Sequence, residues 1–346
     1  MDTSITVNNK DSDRVKQASA GLMLAVLIGV VGYSAKVLTK SPLVDPLLVA
    51  MVIGIIVRTG IPDSRKFSPG FTLAPAIFIP VGIAFYAAKN LNFIKVAKVE
   101  TKMLLLLIVV MAVYFVVILF LGRLLGQRKQ ITYLTAIGSA ICGASAIAIS
   151  APAVEAEPDD VSISLVSVAL AAFTALYIVL PFPVILFDVS DKVFGLLSGS
   201  VLQFTGFVKA ATSEITYLMP EMDPKELVSL SLSVKAARYL GLLAAIPLFA
   251  SMVRGKVYFP WVLWAFLGAG IIGTGIYAVD RVFYDKTLVP WIVPIYDVSW
   301  SMAMAAIGLN ADIKKLLSNN GTKALIMAFG GFFAAIAAFF IGLSIM

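Results

Sequence analysis

Apolar runs close to twenty residues long recur along nearly the whole chain, and no other feature limits its fold as strongly. A helix rises about 1.5 Å per residue, so about 20 apolar residues cross the hydrocarbon of a bilayer, where backbone N–H and C=O groups must be satisfied within the protein. Cutting the chain at charges, Pro and Gly gives eleven such runs, at about 18–38, 43–59, 70–88, 103–123, 131–153, 160–182, 193–213, 226–250, 259–279, 289–310 and 322–345. Composition agrees: 60% of the 346 residues are hydrophobic and 14% charged, against roughly 45–50% and about 25% in soluble domains. The expectation is an all-α integral membrane protein of about eleven transmembrane helices. Residues 1–17 are polar and read as an N-terminal tail rather than a cleaved leader, and 18–346 as one transmembrane domain.

The residues that are missing exclude much chemistry. With no histidine and only Cys142 for a thiol, an internal disulfide, an imidazole metal site and Ser-His or Cys-His nucleophile systems are all absent. No catalytic residue, metal ligand or cofactor is expected, and the chain does not read as an enzyme. The net charge of +7 lacks the clustered basic face that nucleic acid requires. It suits loop charges that set orientation instead. The loops on the N-terminal side carry the larger share of Lys and Arg, including Lys192 by this count, so the N-terminus is expected in the cytoplasm and the C-terminus outside the cell membrane. The acidic loop "EAEPDD" at 155–160 then falls outside.

Two cations stand inside a span. In "LVSLSLSVKAARYLGLLAAIPLF", Ser231, Lys235 and Arg238 are spaced i, i+4, i+7 and share one helix stripe, with Lys235 near mid-membrane. Such charge at depth faces a bundle interior or a cavity and takes a partner. Two readings stay open: the pair attracts an anionic substrate, or it pairs with an acid on another span, such as Asp297.

"GSAICGASAIAISAPA" at 138–153 is short of bulk where a span should have most. Small residues can serve close helix contact. Alternatively Gly143, the serines and Pro152 mark a helix broken at mid-membrane, whose exposed N–H groups suit an anion. A second weak stretch, "GLLSGSVLQFTGFVKAATSE" at 195–214, carries Ser198, Gln203 and Thr205, and paired interruptions of this kind point to a transporter site.

The segment "AIGSAICGASAIAISAPAVEAEPDD" at 136–160 resembles a family of prokaryotic membrane proteins named as sulfate exporters, a substrate that the family name gives provisionally. "PLLVAMVIGIIVRTGIP", ending at Pro62, "VKAARYLGLLAAIP" at 234–247 and "SMAMAAIGLNADIKKL" at 301–316 extend the resemblance over most of the chain. It implies folds like those of bile-acid symporters and cation antiporters, with two inverted five-helix repeats, 43–182 and 193–346, crossing at discontinuous helices, and 18–38 as an extra helix. It covers Ser139, Cys142, Gly143, Ala144, Ser145, Lys235 and Arg238. It departs at "QFTGFV", where the family has a His-Asp-Thr run and this chain keeps only Thr205. Proton coupling through a His-Asp pair is therefore not carried over.

The residues and the resemblance together give a secondary transporter of a small anion (sulfate, sulfite or a sulfonate) working as an exporter by alternating access. The expected substrate-binding set is Ser139, Cys142, Gly143, Ala144, Ser145, Ser198, Gln203, Thr205, Lys235 and Arg238, with Asp297 as coupling residue or charge partner. Expected partners are the anion, the lipid bilayer and a coupling ion, H+ or Na+; a homodimer is left open. The rival readings are a sodium- or proton-coupled cation antiporter of the same architecture, and an anion channel.

Overall fold

The computed structural model describes residues 3–61, 66–97, 99–187, 189–214 and 222–346, and every regular element among them is helical. Helices α1 (Thr3–Thr39), α2 (Pro46–Gly60), α3 (Ser68–Asn90), α4 (Phe93–Ala97) and α5 (Thr101–Leu124) form the first third. The middle is cut into shorter pieces: α6 (Lys129–Ala140), α7 (Ala144–Ser150), α8 (Pro158–Thr174) and, after a π-helical turn, α9 (Pro181–Phe187). Then come α10 (Asp191–Val201), α11 (Thr205–Glu214), α12 (Pro224–Arg238) and its continuation α13 (Gly241–Arg254). The last third holds α14 (Trp261–Val279), α15 (Arg281–Phe283), α16 (Val289–Asn310), α17 (Ile313–Leu316) and α18 (Asn319–Ile345).

Among the described residues, eight segments are long and apolar enough to cross a membrane: Val15–Thr39, Ser68–Ala97, Thr101–Leu124, Pro158–Val184, Pro224–Arg254, Trp261–Val279, Arg281–Asn310 and Asn319–Ile345. The chain is an integral membrane protein. In α5 the surface bears Leu105, Ile108, Val116 and Phe120 while Val110, Tyr114 and Ile118 are buried, an apolar outside around an apolar core, as lipid solvent permits. Helix α2 is apolar but shorter. Asp45 caps it, accepting from the Leu47 N–H at 2.9 Å and the Leu48 N–H at 3.0 Å, with Pro46 in the first turn, where its missing N–H costs nothing.

The expected spans 131–153 and 193–213 are corrected by the structure: each is a helical hairpin that returns to the side it came from. Arg128, just before α6, reaches Glu157 at 3.3 Å and Asp160 at 3.2 Å, at the start of α8. The Ser164 hydroxyl donates to the Ile131 carbonyl at 3.2 Å, so α6 and α8 run in parallel from a common end. Helix α7 must therefore run back between them. In the second hairpin the Asp191 carboxylate, at the start of α10, accepts from the Met222 N–H at 2.9 Å, just before α12.

This corrects two placements. The acidic loop lies on the N-terminal side, not opposite it, because Glu155 pairs with Arg254 at 3.0 Å and Asp159 with Lys315 at 2.6 Å. The hydrogen bond that Lys315 donates to the Asp159 carboxylate holds its ammonium above the ordinary lysine pKa. Lys192 moves to the other side, beside Glu100 at 3.7 Å. The acids stand among the basic residues of one rim, and each neutralises a charge that the orientation count treats as free.

Helices α1, α2, α3, α14 and α16 pack as one group, and α5, α6, α8, α10, α12 and α18 as another. Within the first group a Cβ on Gly54 would strike the Ala305 carbonyl and one on Gly308 the Met51 carbonyl, so the α2 and α16 backbones touch. The two groups meet along a thinner seam, where α8 faces α16 and α2 and α7 faces α3. The hairpin tips end in that seam.

Candidate functional site

The first tip is made by Gly143, at φ +66°, a left-handed conformation that glycine adopts without steric cost. Its N–H turns back to the Gly138 carbonyl at 2.8 Å, closing α6, and any Cβ would press on the Phe204 ring of the second tip at 3.0 Å. The break makes Gly138, Cys142 and Ser145 members of different segments, not of one helix face. The second tip, 202–204, is fixed from α5: the Tyr114 hydroxyl donates to the Val201 carbonyl at 2.8 Å and accepts from the Gln203 amide at 3.2 Å.

Each half-helix that ends inside the protein leaves carbonyls without intrahelical partners, together with a partial negative charge. Lys235 and Arg238 meet both needs. The Lys235 ammonium donates to the carbonyls of Ile141 at 2.7 Å, Leu202 at 2.6 Å and Gln203 at 2.7 Å. The Arg238 guanidinium donates to Ala140 and Ser139, both at 2.8 Å, and to Leu202 at 2.6 Å and Gly199 at 3.3 Å. Both side chains are wholly buried. The expected acid partner is corrected: Asp297 pairs with Lys36 at 2.5 Å, and no ion pair to Lys235 or Arg238 occurs among the described residues.

The carbonyl ends are thus turned onto the two cations, and the opposite faces of the tips look into a cavity of about 480 Å³ in the seam. Cys142 and Ser145 line it from the first tip, and Phe204, Thr205, Gly206 and Lys209 from the second. The facing wall carries Lys36, Lys40, Asp45, Tyr86, Lys89, Tyr296, Asp297 and Trp300. The cavity lies on the side opposite the N-terminus, with the loop of Ser41 and Pro42 and the end of α3. Four lysines face two aspartates. Asp45 is held by the α2 N-terminus and Asp297 by Lys36, while Lys89 donates to the Tyr296 hydroxyl at 3.2 Å. Lys40 and Lys209 make no ion pair among the described residues.

The wall is aromatic and hydroxyl-rich. Tyr86 packs edge-on against Tyr239 and Tyr296, with centroids 5.7 and 5.3 Å apart, and leans on Trp300 at 4.7 Å. Thr205 and Tyr239 share a hydrogen bond of 2.8 Å. A second cavity of about 340 Å³ shares Lys89, Asn90, Thr205 and Leu232 with the first and adds Lys95, Tyr277, Arg281 and Asp285.

Of the expected site residues, Cys142, Ser145, Thr205 and Asp297 line the larger cavity. Ser139, Ala144, Ser198 and Gln203 are buried behind the tips, and the Ser139 and Ser198 hydroxyls and Gln203 Oε1 have no hydrogen-bond partner among the described residues. Gly143, Lys235 and Arg238 build the tips and do not line the cavity. Sequence reasoning missed the wall lysines because Lys36, Lys40, Lys89 and Lys209 lie near predicted span ends, where they count as loop charges. Their signal was an excess of lysine on the side that should be poor in it.

Among the described residues, no group of three His, Cys, Asp or Glu side chains could hold a metal. No solved structure matches the chain. A UPF0324 membrane protein of Bartonella henselae is 26% identical over 333 residues, covering 91% of this chain and 90% of its own. Another from Archaeoglobus fulgidus is 24% identical over 318 residues, with the same coverage of 91% and 90%. The model of the family described as conserved hypothetical protein 698 matches residues 20–328. The chain therefore belongs to that family of membrane proteins, in keeping with the resemblance carried by 136–160.

Proposed function

We propose that this membrane protein is a secondary carrier of a small anion, with sulfate, sulfite or a sulfonate as the substrate class, and not an enzyme. The observation that carries the reading is the division of polarity at the hairpin tips. The carbonyl ends of α6 and α10 are neutralised by Lys235 and Arg238, whereas Ser145, Thr205 and Gly206, at the starts of α7 and α11, line the cavity. Helix N-termini and lysines favour anions, and hydroxyls supply directed donors.

Alternating access is the natural mechanism for a site in a seam between two packed groups. In this conformation the cavity lies on the side opposite the N-terminus, while the N-terminal side is tied by Asp159. That carboxylate accepts from Lys315 at 2.6 Å and from the Asp312 N–H at 2.8 Å, joining α8 to the segment after α16. A cytoplasmic N-terminus in the cell membrane and outward transport complete the proposal.

A cation cargo would need a free carboxylate at depth. Both cavity aspartates are already engaged, which supports the anion reading over an antiporter. Purified protein in liposomes loaded with unlabelled sulfate should take up labelled sulfate by counterflow, and Lys209→Ala should lower that flux at least about tenfold, the cost of one charged contact. Flux that never saturates and shows no counterflow would mark a channel. Absence of flux with sulfate, sulfite and sulfonates alike would sink the anion reading.

A further inference from the structure

We propose that the Lys235 ammonium is a tethered cation filling a monovalent-cation site that the two hairpin tips build, so that the junction of the tips needs no sodium ion. Its three ligands are all main-chain oxygens, Ile141 from one tip and Leu202 and Gln203 from the other, at 2.6 to 2.7 Å. Unwound carbonyls and half-helix C-termini are the groups that hold sodium in carriers with broken helices. Two helix ends converge here, those of α6 and α10. At roughly half a negative charge each, they supply about one charge against two cations. No carboxylate among the described residues contributes.

A free ion in this place would leave and return with each cycle. A lysine cannot leave, because its backbone is part of α12, so both tips stay bound to that helix in every state. Arg238 occupies the neighbouring carbonyls of Ser139, Ala140 and Gly199 and shares that of Leu202, so removing Lys235 uncovers a cradle that the guanidinium still holds in shape rather than a loose cavity. The space of the lost stem admits a small cation with water. Methylammonium reproduces the terminal carbon and nitrogen of the lysine and fits best.

The site is tested without transport. Lys235→Ala, and Lys235→Met as a variant that keeps most of the stem volume, are purified and melted in methylammonium, ammonium, sodium or choline chloride at equal ionic strength. The expected result is a midpoint raised by about 2–4 °C in methylammonium over choline for the Ala variant, with wild type unmoved. Lys235→Met, which fills the cradle with a methyl group, should respond less. A folded Ala variant with equal midpoints in all four salts overturns the proposal. So does failure of both variants to yield monodisperse protein even when extracted in methylammonium, and so does a sodium-dependent rise in wild type. The corollary for transport rests on the carrier reading: wild-type uptake should be equal in sodium and choline chloride. Sodium-dependent uptake overturns it, whereas absence of uptake in every salt counts against the carrier reading and leaves the melting result standing.

Discussion

The Lys36 ammonium and the Asp297 carboxylate stand 2.5 Å apart on the cavity wall, joining the end of α1 to the middle of α16. Asp297 thus occupies the lysine that an incoming anion would meet, and the cavity carries its own counter-charge. Asp297→Asn should free Lys36 and tighten anion binding by about 5- to 10-fold, on the scale of one partly exposed charge-assisted contact. Titration of sulfate against the thermal midpoint of the variant measures this, and weaker binding than wild type would contradict it.

The same pair predicts a non-additive stability effect. Lys36→Met leaves the buried Asp297 carboxylate without its partner and should cost about 1–3 kcal/mol. Adding Asp297→Asn should recover part of that loss, because the unpaired charge is removed as well. A double variant no more stable than Lys36→Met would show that the contact is incidental.

Arg238 holds four carbonyls from both tips with a planar fork that no ammonium can match. Arg238→Lys should therefore behave as a severe change, destabilising by about 3 kcal/mol or more through buried, unpaired carbonyls. A melting midpoint near that of wild type would count against this account of the tips.

Gly143→Ala places a side chain at φ +66° against the Phe204 ring and should lower stability by about 1–3 kcal/mol. Ser145→Leu acts differently. It fills the cavity floor, so the protein should fold while anion-induced stabilisation disappears. Retained sulfate response in folded Ser145→Leu would remove that floor from the binding site.

Cys142 is the single cysteine and lines the cavity, so it reports access without further engineering. In sealed vesicles of known orientation a small charged thiol reagent should label it slowly from the side opposite the N-terminus. Asp159→Asn, which loosens the tie to Lys315 and Asp312, should raise labelling from the N-terminal side. In a Cys142→Ser background, a cysteine at Glu155 should label from the N-terminal side and one at Lys192 from the opposite side; the reverse assignment would restore the continuous spans that the hairpins replace.

The apolar runs determined by themselves that the chain is helical and lies in a membrane, because lipid leaves the backbone no other way to satisfy its hydrogen bonds. Gly143 and the small residues around it marked a break at the right place, and Thr205 and Gln203 lie at the other break. Hydropathy could not tell a broken crossing helix from a hairpin, since both have the same length and composition. That distinction rests on Arg128 meeting Glu157 and on Asp191 meeting the Met222 N–H, contacts between residues about thirty positions apart. The role of Lys235 and Arg238 was equally out of reach. Their depth was legible, but whether a buried cation meets an anion, an acid or a row of carbonyls depends on what the fold brings within about 3 Å. Tertiary structure gave those cations to the carbonyl ends of two half-helices. It also gathered Lys36, Lys40, Lys89 and Lys209, scattered through the sequence as ordinary end-of-span charges, onto the walls of one cavity.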